Sequence, residues 1–435
     1  MKPNYKLILF IILFAITFCF KEIHADLYKN NIDGFLKWIT KNSDPDTGLP
    51  YSHVGDKRFE KWCITYDAAV VALAYTASGN IDKAKKIIDL YMSKENVWRL
   101  GGLIGGVFAY EPNAGVSWLV WSGENLWMGI ASFHLYKATG EKKYLSFAIK
   151  LADFNLSLQN KDKTDINYGG IPLGPKGDPI YPKDQAIVTS DIFEKMPDYS
   201  FTEIFATEHN IDAYALFNLL YQETKNEKYN SANKNILIWI KKAGFNKTQQ
   251  RFNRGCRKEP DENVATDVQT WGISALGVEV LDTIEAGLAI NIIEFVENNC
   301  VSIVSFIKPD GKEVFVKGAD FIDKKTAKKL NREVLVSPEW TFQLINAYQR
   351  LSSDFERLGK NERSNRYSKK RLELLKSMME LAIDDNGTFC YPYATLPDVP
   401  KGHGFNTPKK GNLSVIGAAQ AILSILNYDP LVYGF

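Results

Sequence analysis

The chain alternates between two kinds of predicted helical segment. In one kind, apolar and small residues cover nearly every face, which indicates a helix buried on all sides. In the other, an apolar stripe lies opposite a polar face rich in Lys and Tyr, which is typical of a helix at the surface. The buried segments are 63–78, 124–139, 208–224, 265–277, 337–353 and 412–427, and the amphipathic segments are 27–41, 81–93, 142–158, 228–242, 281–299 and 362–383.

The connections between these segments alternate in length. Tight turns follow the buried segments, as in Ser78-Gly79-Asn80 and Thr139-Gly140-Glu141, where Gly supplies the C-cap conformation. The return connections are long, and loops above about 12 to 15 residues usually carry function. Because each of them leads from an outer helix to an inner one, all must emerge on one face. They span 42–62, 94–123, 159–207, 243–264, 300–336 and 384–411.

Pairing each amphipathic helix with the next buried one gives about six helical hairpins. This pattern predicts an all-α fold in which residues 26–435 form a single (α/α)6 barrel domain with long loops on one face. A closed ring also explains how one core serves a chain longer than about 250 to 300 residues. The competing fold is a tetratricopeptide-type array, whose repeats keep about 34 residues. Here the buried helices begin 61, 84, 57, 72 and 75 residues apart, which favours the closed barrel.

The first 25 residues have the pattern of a signal peptide. Lys2 and Lys6 precede an apolar run over 7–20, and a polar stretch then reaches Ala25. The run is short for a membrane span of about 20 residues. We therefore expect an exported protein, periplasmic or secreted, with no membrane span after cleavage. Lipoprotein anchoring through Cys19 is the alternative, although the bulky Phe18 before it disfavours that site.

Composition excludes several functions. The 53 Lys+Arg against 51 Asp+Glu give no basic field, so we expect no nucleic-acid partner. The run 101–106 is Gly-rich but lacks a preceding strand and a following helix, so we expect no nucleotide cofactor. No clustered Cys/His spacing supports a metal. We expect no cofactor, no metal and a monomer.

Four cysteines follow the signal peptide, and an even number in an oxidising compartment permits two disulfides. All four fall at the expected long-loop face. Cys256 and Cys300 flank the same pair of helices, whereas Cys63 and Cys390 adjoin neighbouring inner helices. The sequence thus predicts the pairs Cys256 with Cys300 and Cys63 with Cys390. Four free buried thiols are the alternative.

Acidic residues recur in the first turns of the buried helices, where they would line the mouth of the central cavity. Carboxylates there are favoured by the helix dipole by about 0.3 to 1 kcal/mol, so capping alone explains any single one. Together with four tryptophans they match glycosidic bond chemistry, which needs one protonated carboxyl and one carboxylate. The acids are Asp67, Glu124, Glu208, Asp212, Asp267 and Glu339, and the tryptophans are Trp62, Trp127, Trp271 and Trp340.

The densest polar cluster is 207–214, with the sequence TEHNIDAY. Thr207 is a plausible N-cap. Glu208 and Asp212 are four residues apart and share one helix face, where like charges repel. His209 lies off that face and is more readily explained as a core or orienting residue than as a catalytic base.

These segments resemble a known superfamily. Tyr66-Asp67-Ala68-Ala69, the stretch 139–148, the cluster 207–214 and Asp267-Val268-Gln269-Thr270-Trp271 are similar to exported bacterial six-hairpin glycosidases with an (α/α)6 toroid. The resemblance spans most of the mature chain. The superfamily includes hydrolases, phosphorylases, unsaturated-uronide hydrolases and epimerases. This sequence contains no complete catalytic signature of any one of these activities.

The resemblance implies a glycoside hydrolase acting on a poly- or oligosaccharide. It implies Glu208 as general acid and Asp67 or Asp267 as base. Glu124 and Glu339 are reserve candidates and, with Asp212, His209 and the four tryptophans, are expected to bind substrate. Three alternatives stay open: a non-catalytic saccharide-binding or polysaccharide-assembly protein, a sugar epimerase for which only His209 is well placed, and an interaction scaffold.

Overall fold

The computed structural model describes residues 28–176, 201–403 and 406–433, so the predicted signal peptide lies outside the described residues. Thirteen α-helices occur within these ranges. They are α1 (Lys29–Lys41), α2 (Thr65–Ala77), α3 (Ile81–Ser93), α4 (Ser122–Thr139), α5 (Lys142–Leu158), α6 (Thr207–Thr224), α7 (Glu227–Trp239), α8 (Thr266–Ile284), α9 (Leu288–Asn299), α10 (Lys324–Lys329), α11 (Pro338–Arg357), α12 (Asn361–Leu381) and α13 (Val415–Ile425).

Six helices form a closed inner ring. Helices α2, α4, α6, α8, α11 and α13 pack side by side in chain order, and α13 packs against α2. Their all-round apolar sequences suit this position, since every residue of α13 is buried. The same holds for α4 from Asn125 to Leu135. The ring confirms the predicted (α/α)6 barrel and excludes an open array.

The outer helices bury one stripe each. In α3, for example, Ala84, Ile87, Ile88 and Tyr91 face the core, at the spacing of a single helix face. Each outer helix packs mainly on the inner helix that precedes it, and α1 packs on α13. The predicted pairing with the following inner helix is therefore wrong. The tight turns fold each outer helix back on the inner helix before it. The sixth hairpin is formed by α1 and α13, the first and last described helices.

One of these turns has the predicted C-cap. Gly140 ends α4 with φ of 72° and donates its backbone N–H to the carbonyl of Tyr136 at 2.7 Å. This left-handed conformation costs Gly little, because it has no Cβ. The short connection then places α5 antiparallel to α4.

The long return connections carry short strands at the face where the inner helices begin. The sheets are small and antiparallel, and several lead directly into an inner helix, as β2 leads into α2 and β7 into α6. The strands are β1 (His53–Val54), β2 (Trp62–Ile64), β3 (Trp98–Arg99), β4 (Gly102–Leu103), β5 (Gly106–Phe108), β6 (Glu111–Ser117), β7 (Phe205–Ala206), β8 (Phe245–Asn246), β9 (Arg251–Phe252), β10 (Gly255–Cys256), β11 (Pro260–Asp261), β12 (Val301–Ile307), β13 (Glu313–Ala319), β14 (Ile383–Asp385), β15 (Thr388–Pro392) and β16 (Leu413–Ser414).

Strands β12 and β13 form a hairpin within the segment predicted as a loop at 300–336. They pair in register from Val301 with Ala319 to Ile307 with Glu313. Val314 and Val316 are buried, whereas Phe315 between them is exposed. The two-residue period of a half-buried strand was thus present in the sequence. Helical periodicity does not predict this hairpin.

The fourth hairpin differs from the prediction at its turn. Helix α8 is interrupted at Gly277, whose φ of 69° and ψ of 173° are not helical. The outer helix α9 therefore begins at Leu288 rather than near 281. After the break, the backbone N–H of Val278 donates to Asp354 Oδ2 of α11 at 2.8 Å. This hydrogen bond to another helix holds the backbone just after the break at Gly277, and the local sequence does not show it.

The predicted disulfides are absent: Cys63, Cys256, Cys300 and Cys390 are all free and buried. The thiols of Cys63 and Cys390 lie near the carbonyl oxygens of Ile64 and Ile383, each within its own small sheet. The cysteines were predicted to lie at one face of the ring, but lying at the same face does not bring two thiols within bonding distance. None of the helices in the described ranges has the length and apolarity to cross a bilayer.

Candidate active site

The loop-face opening of the inner ring, called the mouth below, is lined by the first turns of the inner helices. Each of five inner helices carries one carboxyl residue within its first three positions. Their helical N–H groups point toward the mouth, so the helix dipoles favour negative charge there. These residues are Asp67 of α2, Glu124 of α4, Glu208 of α6, Asp267 of α8 and Glu339 of α11.

A repeated amide contact anchors the return loops over the mouth. In α4, Asn125 Oδ1 accepts from the backbone N–H of Leu103 at 2.7 Å, and its Nδ2 donates to the carbonyl of Leu103 at 3.0 Å. Asn210 of α6 makes the same pair of bonds with Ile171. Gln269 of α8 makes the same pair of bonds with Phe252. Each amide thereby satisfies buried backbone groups that no sheet or helix pairs.

Burial raises the pKa values of three mouth carboxyls into the neutral range. The pKa of Asp67 rises to about 7 through desolvation and the nearby Glu339. That of Glu124 rises to about 8, through desolvation and then Asp67. Desolvation, with added repulsion from Glu124 and Glu339, raises the pKa of Glu208 to about 7. Glu124 and Glu208 are only half-buried, so a ligand in the mouth can reach them.

Asp212 and Asp267 lie deeper than Glu124 and Glu208. Desolvation and repulsion from Glu208 raise both pKa values well above the usual range. Trp127 partly offsets the rise at Asp212. Nevertheless, neither the indole Nε1 of Trp127 nor the carboxyl oxygens of Asp212 have a partner at normal hydrogen-bond geometry. Asp212 and Glu208 lie four positions apart in α6, and Glu208 contributes to the raised pKa of Asp212.

Glu339 has a different environment from the other acids. Its Oε1 accepts a hydrogen bond from the Tyr66 hydroxyl at 2.9 Å. Although desolvation raises its pKa, the positive charge of Lys401 and the Tyr66 hydroxyl both lower it. A donor and a cation favour the ionised carboxylate. The pKa of Glu339 is raised overall by desolvation, and its hydrogen-bond donor comes from a neighbouring inner helix.

Three aromatic rings meet between the inner helices. Tyr66 contacts Trp127 edge to face with 5.4 Å between ring centroids, and Trp127 lies 5.2 Å from Trp271. Tyr66 also approaches Trp271 edge to face. We call these residues the aromatic cluster. Trp127 and Trp271 are both nearly fully buried, so they build the wall of the mouth more than an open stacking surface.

A second aromatic group surrounds Lys401. The ring of Phe321 meets Trp340 edge to face at 4.9 Å and stacks on Tyr393 at 5.6 Å. The Lys401 ammonium lies over all three rings and donates to the Tyr393 hydroxyl at 3.0 Å. Desolvation lowers its pKa, while Glu339 and other mouth carboxyls raise it. Trp340 thus lies at the mouth, as predicted.

Two other predicted site residues lie elsewhere. The Trp62 ring packs edge to face on Phe59 at 5.3 Å, in a small apolar group of its own under the return loops. His209 pairs through Nδ1 with Ser122 Oγ at 2.8 Å. Burial alone lowers its pKa to about 4, with no carboxyl contributing. His209 thus ties α6 to α4, which agrees with an orienting role and disagrees with substrate binding.

The histidines close to the mouth are ones that the sequence analysis passed over. His403 packs against Trp340 with 5.4 Å between centroids and contacts the carbonyl of Phe321 through Nε2. His53 packs against Tyr393 at 5.5 Å. Desolvation lowers both pKa values, to about 3 for His403 and about 4 for His53. Both rings are therefore neutral at physiological pH.

Sequence reasoning also missed Tyr66, Tyr393 and Lys401. Tyr66 had a signal, because it precedes Asp67 in a first turn. Lys401 and Tyr393 lie in the return loop 384–411, where no periodic pattern marks which side chains turn inward. Among the described residues, no group of three or more His, Cys, Asp or Glu side chains is arranged to hold a metal ion.

Fold and site together define a six-hairpin toroid with a carboxyl-lined, aromatic-walled mouth. Solved structures share this fold across nearly the whole chain. A cellobiose 2-epimerase from Bacillus thermoamylovorans B4167 matches with a TM-score of 0.62 at 12% identity, covering 93% of this chain and 99% of the epimerase. A GH76 α-mannanase from Bacteroides thetaiotaomicron matches at 0.61 and 13% identity, covering 94% and 98%.

A third structure contains a ligand. It is an inactive variant of a GH76 α-1,6-mannanase from Salegentibacter sp. HEL1_6 in complex with α-1,6-mannotriose, with a TM-score of 0.55, 12% identity and coverage of 92% and 98%. At these identities the likeness establishes the toroid fold alone. No protein-family profile matches the sequence. No curated protein matches it either.

Proposed function

We propose that this protein is a carbohydrate-active enzyme that hydrolyses a glycosidic bond in an oligo- or polysaccharide. The observation that carries the proposal is the set of carboxyls that five separate inner helices bring to one mouth, where they differ in hydrogen-bond partners and nearby charge. Burial raises the pKa of Glu208 to about 7, whereas Glu339 is bonded by Tyr66 and faces Lys401. Glycosidic hydrolysis needs one protonated carboxyl and one carboxylate.

Glu208 is the proposed general acid. It is half-buried in the first turn of α6, so the mouth gives access to its carboxyl. With a pKa of about 7, a large fraction is protonated near neutral pH and can donate to the leaving oxygen.

Glu339 is the proposed base, in place of the Asp67 or Asp267 that the sequence suggested. The pKa of Asp267 is raised well above the usual range by desolvation and by Glu208, which disfavours its carboxylate. The pKa of Asp67 rises to about 7, which leaves it as a second candidate. The Tyr66 hydrogen bond favours the carboxylate at Glu339.

The mannanases make α-1,6-linked mannooligosaccharides the first substrates to test. One of those enzymes is inactive when two adjacent aspartates are replaced. The only adjacent aspartates in this sequence are Asp384 and Asp385. They are the last two residues of β14 in the β14–β15 hairpin, and Asp385 pairs with Lys41 of α1 at 3.1 Å. Hydrolysis here would therefore use carboxyls from separate inner helices.

The decisive experiment compares the wild type with Glu208→Gln on a panel of oligosaccharides that includes α-1,6-mannotriose. We expect new reducing ends with the wild type and a loss of at least about 100-fold in kcat for the variant, since acid catalysis typically contributes about 10²- to 10⁴-fold. Oligosaccharide affinity and the melting temperature should be retained, because Gln has nearly the same shape. Unchanged turnover would remove Glu208 from this role. Binding without any product would favour the saccharide-binding alternative.

A sugar epimerase is the second candidate, favoured by the fold shared with cellobiose 2-epimerase and by His403 beside the mouth. Its neutral imidazole could accept a proton from a sugar carbon. The two activities differ in products, because an epimerase changes sugar stereochemistry and leaves the number of reducing ends unchanged. Nuclear magnetic resonance of a cellobiose reaction distinguishes them. An epimer formed by wild type but not by His403→Asn would support this candidate.

A further inference from the structure

The β12–β13 hairpin presents three large apolar side chains to solvent on one face. Ile303 and Ile307 of β12 are each 68% exposed, and Phe315 of β13 is 70% exposed. Phe315 is the register partner of Ser305, which lies between the two isoleucines. Because direct and diagonal cross-strand neighbours lie about 5 to 8 Å apart, the three side chains form one patch. Its area is on the order of 400 Å², a size that is often functional in a monomer.

The backbone of β12 has an open edge beside this patch. The N–H of Lys317 in β13 donates to Ser377 Oγ of α12 at 2.6 Å, and that hydroxyl donates to the carbonyl of Lys317 at 3.0 Å. Lys317 is the register partner of Ile303, so the backbone groups of these two residues point away from each other. The N–H and C=O groups of Ile303, and by alternation those of Ser305 and Ile307, therefore point outward from β12. Among the described residues, no strand other than β13 pairs with β12.

Strand β12 lacks the features that commonly prevent an edge strand from pairing with another molecule. Such edges are protected by a Lys, a Pro, a bulge or a covering element. The sequence of β12 is VSIVSFI, without charge or Pro, and its register with β13 is uninterrupted. The other edge of the hairpin is covered, because α12 packs on β13 and Ser377 bonds the backbone of Lys317. One edge of this sheet is thus blocked and the other is open.

We propose that β12 is a dimerisation edge, which pairs antiparallel with β12 of a second copy of this chain. The outward backbone groups fix the register, since a two-fold axis at Ser305 puts Ile303 of one copy opposite Ile307 of the other. The three outward residues of each strand then exchange about six main-chain hydrogen bonds in all. The two hairpins form one four-stranded sheet by strand addition. This dimer replaces the monomer expected from the sequence.

A second copy is the occupant because the edge is complementary to itself. In this register isoleucine meets isoleucine at the centre, whereas Lys317 and Glu313 of β13 stay at the outer strands, as in the polar rim of other interfaces. Since β12 carries no charge, no like charges meet at the axis. Val304 and Phe306, half-buried on the other face of β12, also meet across the axis and add apolar area.

The covered edge of β13 limits the assembly to two copies. In the four-stranded sheet both outer strands are β13, and α12 blocks each of them. The association is therefore closed rather than open-ended. With about 400 Å² of patch from each copy, the interface lies at the small end of specific contacts, near about 1,200 Å² in total. We therefore expect a dissociation constant in the micromolar range or weaker.

The test is sedimentation equilibrium of the protein without residues 1–25, which retains every described residue. Between about 1 and 500 μM the wild type should show a monomer–dimer equilibrium. Ile303→Lys should weaken dimerisation at least about tenfold, because it places an ammonium without a counter-charge opposite Ile307 of the second copy. Adding Ile307→Glu should restore the dimer, since Lys then lies opposite Glu twice. Ile238→Lys in α7, at an isoleucine that is 46% exposed, is the matched control and should leave the equilibrium unchanged.

A wild-type protein that stays monomeric at about 500 μM would overturn the proposal. A dimer that Ile303→Lys leaves intact would also overturn it, because that dimer must use another surface. Failure of Ile307→Glu to restore pairing would refute the two-fold register, and growth beyond two copies would refute the closed assembly. Amide hydrogen exchange tests the same edge residue by residue: the N–H groups of Ile303, Ser305 and Ile307 should gain protection as the concentration rises, and equal exchange at low and high concentration would refute strand pairing.

Discussion

Asn210→Ala tests how the return loops are held over the mouth. The Asn210 amide is fully buried and bonds the N–H of Ile171 at 2.7 Å and its carbonyl at 3.0 Å. Its Nδ2 also donates to the carbonyl of Ala206 at 2.8 Å. The substitution leaves the polar groups of Ile171 buried without partners. Each such group costs about 1 to 3 kcal/mol, so we expect a loss of about 2 to 5 kcal/mol.

The measurement is urea unfolding followed by tryptophan fluorescence. Asn155→Ala is the matched control, because Asn155 is also fully buried but bonds only the carbonyl of Leu151 in its own helix, at 2.9 Å. Its Oδ1 has no hydrogen-bond partner, so its removal should cost less than about 1 kcal/mol. Similar losses for the two variants would refute loop anchoring as the reason for the larger effect, as would a loss below about 1 kcal/mol for Asn210→Ala.

Three further predictions concern the rest of the molecule. The pKa of Glu124 is raised to about 8 by desolvation and by Asp67; the folded state holds this proton longer than the unfolded chain, so its contribution to stability falls as pH rises from about 4.5 to 8. Glu124→Gln should therefore raise the melting temperature near pH 8 and leave it unchanged near pH 4, and an increase equal at both pH values would contradict this cause. Val316→Ala in the β12–β13 hairpin should cost about 2 kcal/mol in urea unfolding, whereas Phe315→Ala, at a position 70% exposed, should change stability by less than about 0.5 kcal/mol; the reverse order would mean a different register. Because Cys63, Cys256, Cys300 and Cys390 are free, thiol titration of protein that lacks residues 1–25, after unfolding without reductant, should find four thiols, and a lower count would reveal a disulfide.

Much of the fold could be predicted because helical periodicity is a local property. All-round apolar segments and one-sided segments alternate, and this alternation gave both layers of the toroid and the face of its loops. The hairpin at 301–319 was missed although it was equally local, since its two-residue period was not sought. The predicted end of the buried segment at 277 coincides with the break at Gly277, whereas the helical continuation to Ile284 was not predicted.

The acidic first turns of the inner helices were also predictable, because helix register fixes which residues begin at the mouth. Asp67, Glu208 and Asp267 lie there as expected. Their relative charge could not be predicted, since a pKa depends on burial and on neighbours from other helices. For this reason we propose Glu339, first treated as a reserve, as the base in place of Asp67 or Asp267.

The sequence by itself determined a ring of hairpins with carboxyl groups around one opening, because both follow from helix period and helix polarity. Only the tertiary structure decided which carboxyl can carry a negative charge. That choice depends on contacts between residues far apart in the chain, such as Tyr66 with Glu339, 273 positions away. Electrostatic energies are set by distance and burial in three dimensions, and the order of residues fixes neither.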